Sequence, residues 1–203
     1  MDIDSFSACL AYVSSLKPAP DYKYLTPLAG VGVGFILSQF ASLSTEFFRN
    51  RSKKKLLLEE IHNIKESALA AVKGAAEFAN SLHVAPDKPT SYNLPIDFNF
   101  SAHDKYYVDV ALKFKKNQRI AMRNVRVNGD LVNESLEWIR KEARKVGREE
   151  VHIECVRLMN RAIKCYYGCE DSIHNTKTNT FNLFDFARHH DFYNEFLKKV
   201  EQS

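Results

Sequence analysis

Backbone breakers are scarce in this chain. Seven glycines and six prolines among 203 residues are too few for a strand-and-turn protein and too few for a disordered one. Four cysteines, at 9, 155, 165 and 169, are too few and too unevenly spaced for a secreted disulfide framework, and a reducing compartment suits the C-terminal three. Cys165 and Cys169, four apart, could bind a metal only with partners from elsewhere, and no matching Cys or His pair stands at zinc spacing. The one glycine-rich piece, GVGVG at 30–34, has GxGxG spacing with no strand pattern leading into it, which excludes a dinucleotide loop. A large charge excess is also lacking: 29 Lys and Arg stand against 25 Asp and Glu. Much of that difference is local, so the chain as a whole does not read as a nucleic-acid binder.

Long apolar runs are lacking too, with one exception. Residues 25–45, LTPLAGVGVGFILSQFASLST, are 21 residues without a charge. About 20 such residues, at 1.5 Å rise each, cross a hydrocarbon core of roughly 30 Å. Directly afterwards come Arg49, Arg51, Lys53, Lys54 and Lys55. The run is only moderately apolar, diluted by glycines, Gln39 and hydroxyl residues, so a buried helix of a soluble protein is the competing reading. Charge-free length followed by an abrupt basic flank favours a transmembrane helix. The flank also gives it a direction, because positive charge stays inside: N-terminus out, C-terminal part cytosolic, as in a single-pass bacterial inner-membrane protein. The same cluster has a second use, attracting anionic lipid headgroups.

Residues 1–24 hold a short apolar piece at 6–16, too short to span, followed by Pro18 and Pro20. They read as an extracytoplasmic segment, and no positive n-region marks a cleavable signal. Within the span, Gly30, Gly34, Ser38 and Ser42 recur every four residues. A row of small side chains lets two helix backbones approach, so this stripe predicts a homo-oligomer packed through the membrane helix.

Beyond the basic cluster the chain reads as an all-α, up-down cytosolic bundle over 46–203, continuous with the span. Its helices are expected at about 46–82, 102–146, 148–173 and 182–201, with a linker at 83–100. In the first, Leu57, Ile61, Ile64, Ala68, Ala71, Ala75, Phe78 and Leu82 alternate steps of four and three, the pattern of a buried helix face. In the linker, Tyr92, Phe98 and Phe100 are expected to cap the end of the bundle. Ser101 with Asp104 signals the next helix start. That helix's face reads Tyr107, Ala111, Phe114, Gln118, Ala121, Val125 and Asn128, then shifts phase around Gly129, predicting a stutter or kink and two polar insertions. Val151, Cys155, Leu158, Ala162, Cys165 and Cys169 form the third face. Leu183, Phe186, Ala187, His190, Tyr193, Leu197 and Val200 form the last.

Candidate chemistry is thin. Glu59 with His62, and Glu149 with His152, repeat the Glu-x-x-His spacing of di-iron bundles, and an up-down order places both near the membrane end. At 100° per residue, however, each glutamate points away from its apolar face, so no metal or other cofactor is expected. The C-terminal cysteines fall on an apolar face, where thiols act as small hydrophobes. His189 and His190 suggest a base or pH sensor, with a core histidine as the plainer alternative. Arg119, Arg123 and Arg126 share one helix face, open to a cytosolic protein or nucleoprotein partner or simply solvated.

The expectation is therefore a non-enzymatic membrane effector or sensor that engages lipid and itself. Accessory membrane effectors of bacterial antiviral defence or toxin systems offer an analogy of architecture alone, since no motif here identifies such a family. A passive tether for a cytosolic partner is the alternative. A metal-dependent oxidoreductase is a distant second.

Overall fold

A computed structural model describes Ser7, Ala11, Tyr12 and residues 25–84, 93–178 and 182–202, with the side chains of 25–30 excepted. The expectations for the rest of residues 1–24, for Cys9, for the linker at 85–92 including Tyr92, and for the turn at 179–181 lie outside the described residues. Among these residues all regular structure is helical. The helices are α1 (Leu25–Val84), α2 (Ser101–Val110), α3 (Lys116–Glu142), α4 (Arg148–His174), α5 (Leu183–His189) and α6 (Glu195–Glu201). The chain divides into two compact units, Met1–Phe48 and Arg49–Ser203, and α1 belongs to both.

In the larger unit the apolar face of α1 is buried at Leu57, Ile61, Ile64, Ala68, Ala71, Ala75 and Phe78. Its alanines let neighbours come close, and Gly74 lets in backbone: a Cβ there would stand 2.6 Å from the carbonyl oxygen of Asn93. From Asn93 the chain does not cap the end of α1, as the linker aromatics had suggested. It runs back along α1, from beside Gly74 to Glu60, about 21 Å of helix rise. Phe98 and Phe100 are buried on the way. Asn133 on α3 holds this extended stretch as a strand partner would, accepting from Phe98 N–H at 2.7 Å and donating to its carbonyl at 3.0 Å.

α2 begins at Ser101, the expected residue, but its cap comes from elsewhere. The Glu60 carboxylate on α1 accepts from Ala102 N–H at 2.6 Å and His103 N–H at 2.8 Å. A carboxylate on the unpaired amides of a helix start satisfies donors and complements the helix dipole together. Asp104, the residue paired with Ser101 in the sequence signal, instead receives Arg126 at 3.0 Å.

The single helix expected over 102–146 is broken. After α2 comes one 3-10 turn, Ala111–Lys113, and then Phe114 turns extended at φ −105°, ψ 150°. Phe114 is buried, so the chain reverses around a ring fixed in the core. Gln118 is therefore no polar insertion in a helix seam. Its Oε1 accepts from Lys115 N–H at 3.1 Å and its Nε2 donates to the Ser172 carbonyl at 2.8 Å, joining the start of α3 to the end of α4.

The stutter at Gly129 is absent as well. α3 is unbroken from Lys116 to Glu142, and its buried positions Met122, Val125, Gly129, Val132, Leu136 and Ile139 keep one phase. Glycine is needed here because the Phe100 ring occupies the space of a Cβ, its nearest atom 2.1 Å from that position. Asn128 bonds the Asn124 carbonyl along its own helix, beside the buried face.

α4 lies against α3 in the opposite direction. Gly168 meets Val125, Arg161 donates to the Leu131 carbonyl at 3.1 Å, and Glu154 meets Ser135. It opposes α1 too, with His152 beside Ala79 and Lys65 ion-paired to Glu170. The last helix, expected at 182–201, is two short ones. Asn182 caps α5 by accepting from Phe184 N–H and Asp185 N–H, and Asn194 caps α6 by accepting from Leu197 N–H. Between them Asp191 takes a left-handed φ of 58°. That turn changes the helical phase, so Phe196 is buried beside Leu197.

Candidate functional site

The apolar run gives α1 a surface unlike any other among the described residues. Val31, Val33, Ile36, Leu37, Phe40, Leu43, Phe47 and Phe48 are all exposed, Phe40 at 65%. This helix is long and apolar enough to cross a membrane, and no residue of its most apolar window is buried. A monomeric soluble protein rarely leaves such a surface uncovered. Along it, Gly34 has nothing within 4 Å of a Cβ position, and Ser38 and Ser42 are exposed. Gly30 is helical, its surroundings outside the described residues. Thr45 donates its hydroxyl to the Ala41 carbonyl at 2.8 Å, so the helix satisfies that polar group itself.

The basic cluster splits in two. Arg49, Arg51 and Lys55 are exposed. Lys53 is ion-paired with Asp109 on α2, and Lys54 donates to the Lys113 carbonyl at 3.3 Å while lying 4.8 Å over the Phe114 ring. The Lys53 ammonium holds the Asp109 carboxyl below its ordinary pKa. These two lysines thus clasp the turn between α2 and α3 to α1, a part the sequence reading had not given them.

The arginine face of α3 is also divided. Arg126 is engaged by Asp104 and Asp130 and lies 4.6 Å over the Phe100 ring. Arg123 is exposed and Arg119 half-buried. The two Glu-x-x-His pairs stay apart. Glu59, His62 and Glu149 are exposed, whereas His152 sits beside the Ala79 carbonyl at 3.2 Å. Ala79 is 17 residues along α1 from His62, about 25 Å. The shared depth expected for the pairs fails because α4 starts at the far end of α1. Among the described residues no three His, Cys, Asp or Glu side chains form a metal-holding group.

Cys155, Cys165 and Cys169 are buried free thiols. Burial pushes the Cys155 thiol up to about 12, and Cys169 is raised through its hydrogen bond with Cys165, so neither is a poised nucleophile. Burial lowers the pKa of His152 and of His190, the latter against the Phe186 ring at 4.4 Å.

Two features escaped the sequence reading. Between α3 and α4, Ser135 donates to the buried Glu154 carboxylate at 2.7 Å, and Arg157 donates to its other oxygen at 3.1 Å. Arg161 completes the group by donating to Ser135 at 2.6 Å. This satisfied network fixes how the two helices register. The described residues also line open polar hollows, among them ones of about 590 and 670 Å³. In the first, Glu60 is engaged by the amides of α2 and Asp97 by Arg140, while Glu59 is exposed; in the second, Asp171 is engaged by Thr176 and Thr178.

No family model, curated protein or solved structure matches this chain.

Proposed function

We propose that the chain is a non-enzymatic, single-pass membrane protein, spanning at 25–45 with its N-terminus outside and residues 46–203 as a cytosolic bundle of up-down character. The observation that carries this reading is the uncovered apolar surface of α1 ending at a basic cluster. Lipid covers such a surface and holds the positive flank on the cytosolic side. The small-residue stripe then packs one span on another, with Gly34 open to a close neighbour.

On this reading the protein is an effector or sensor of the cell inner membrane. A cytosolic partner or signal acts on the bundle, and rearranged spans carry the effect into the bilayer. Arg123 is the most open member of the α3 face, the one exposed, toward an acidic partner. The experiment is induced expression with a membrane-potential dye and viability counts, comparing wild type with Gly34→Leu. Depolarisation and killing that the variant loses support the effector. Healthy, polarised cells in both cases move the assignment to a passive tether.

A further inference from the structure

The end of α2 and the turn that joins it to α3 carry two of the most exposed apolar side chains among the described residues of the larger unit: Val108 at 85% and Leu112 at 86%. They are four residues apart, and exposed lysines at 113, 115 and 116 follow directly. Nothing about the turn's own stability calls for either side chain. Val110 and Phe114 do the packing, both buried, and Lys53 and Lys54 clasp the turn from α1. The acids nearby are engaged, Asp109 by Lys53 and Asp104 by Arg126. An apolar tip is thereby left inside a collar of unbalanced positive charge.

Its chemistry identifies what covers it. Lys54, which holds the turn, belongs to the basic cluster and follows Phe48 by six residues in the sequence. Exposed Phe47 and Phe48 suit the aromatic level at a membrane–water interface. Apolar side chains flanked by lysines match the chemistry of a segment lying in an anionic bilayer surface: apolar tips reach about 5–10 Å into the acyl boundary while ammonium groups stay among headgroup phosphates.

We infer that the turn at 108–116 is a second membrane contact, inserting Val108 and Leu112 into an anionic cytosolic leaflet and fixing the bundle against the bilayer. This inference rests on the span proposed above. It makes the membrane a docking surface for the bundle, where a span alone would leave the bundle hanging from one helix.

The test uses the full chain reconstituted in vesicles of phosphatidylcholine and phosphatidylglycerol containing nitroxide lipids. Cys9→Ser removes the one cysteine outside the described residues, and the three buried thiols leave an introduced cysteine as the labelling site. An environment-sensitive fluorophore is placed in turn at Leu112→Cys, Val108→Cys, Phe40→Cys for the span, and Ile96→Cys, an 87% exposed apolar control on the stretch beside α1. The expected result is strong quenching at 40, 108 and 112, several-fold above that at 96, with the signal at 108 and 112 much reduced in pure phosphatidylcholine. Quenching at 40 without quenching at 108 or 112 overturns this inference and leaves the span standing. No quenching at any site overturns both. Equal quenching at 112 in the two bilayers overturns the role given to the lysines. Since Leu112 and Val108 make few contacts, substituting them leaves the fold intact, and unchanged circular dichroism checks this.

Discussion

At the residue scale, Gly129 and Phe100 show why identity matters where pattern does not. A glycine inside a helix ordinarily costs about 1 kcal/mol relative to alanine, so Gly→Ala should stabilise. Here the added Cβ would meet a buried ring already covered by Arg126, and overpacking of about 1–3 kcal/mol outweighs the propensity gain. Gly129→Ala is therefore expected to lower stability by up to about 2 kcal/mol in urea unfolding; a rise would contradict the packing described. Histidine supplies a second residue-scale prediction. His152 is held neutral chiefly by burial, with a folded pKa below its ordinary 6.5. As pH falls through that value the unfolded chain takes up the proton first, so stability is full above it and declines below, levelling once the folded form also titrates. His190, shifted the same way, adds to the slope. The doubly substituted His152→Gln, His190→Gln chain should show a flatter unfolding midpoint between about pH 7.5 and 5.5 than wild type.

At the element scale, the turn between α2 and α3 is the informative case. Phe114→Ala should cost about 3–5 kcal/mol by unmaking the plug around which the chain reverses. Glu60→Ala should cost about 1 kcal/mol as a lost cap and raise amide exchange at residues 102 and 103. That turn was not legible in the sequence. Tyr107, Ala111, Phe114 and Gln118 fall at helical spacing, and no Gly or Pro marks the break, so periodicity ran through it. The cap was illegible for a related reason: Glu60 acts across 42 residues, where local signals such as Ser101 with Asp104 cannot see it. By contrast, the faces of α1 and α4 were readable because apolar residues there keep a single phase over several turns, from Leu57 to Phe78 and from Val151 to Cys169. The split of α5 and α6 was hidden because Asp191 adopts a positive φ without a glycine to announce it. Of the candidate site residues, the exposed run was legible from absence of charge alone. The clasping work of Lys53 and Lys54 was not, because their partners lie more than 50 residues away.

At the scale of the whole molecule, an uncovered apolar helix, a basic junction and a helical unit with its own core together argue for a protein divided between lipid and water. The stripe at Gly30, Gly34, Ser38 and Ser42 predicts that Gly34→Leu weakens self-association while leaving insertion intact, because a large side chain blocks close approach without lowering apolarity. Unchanged cross-linking in that variant would remove the stripe from the account. The measurement that bears most directly on the central claim combines alkaline extraction of membranes with protease treatment from each side. A chain spanning at 25–45 with its N-terminus out stays in the extracted membrane pellet, and its unit Arg49–Ser203 is cut only when protease reaches the cytosolic face. A chain released into the alkaline supernatant, or a C-terminal unit cut from the outer face of sealed cells, would contradict it.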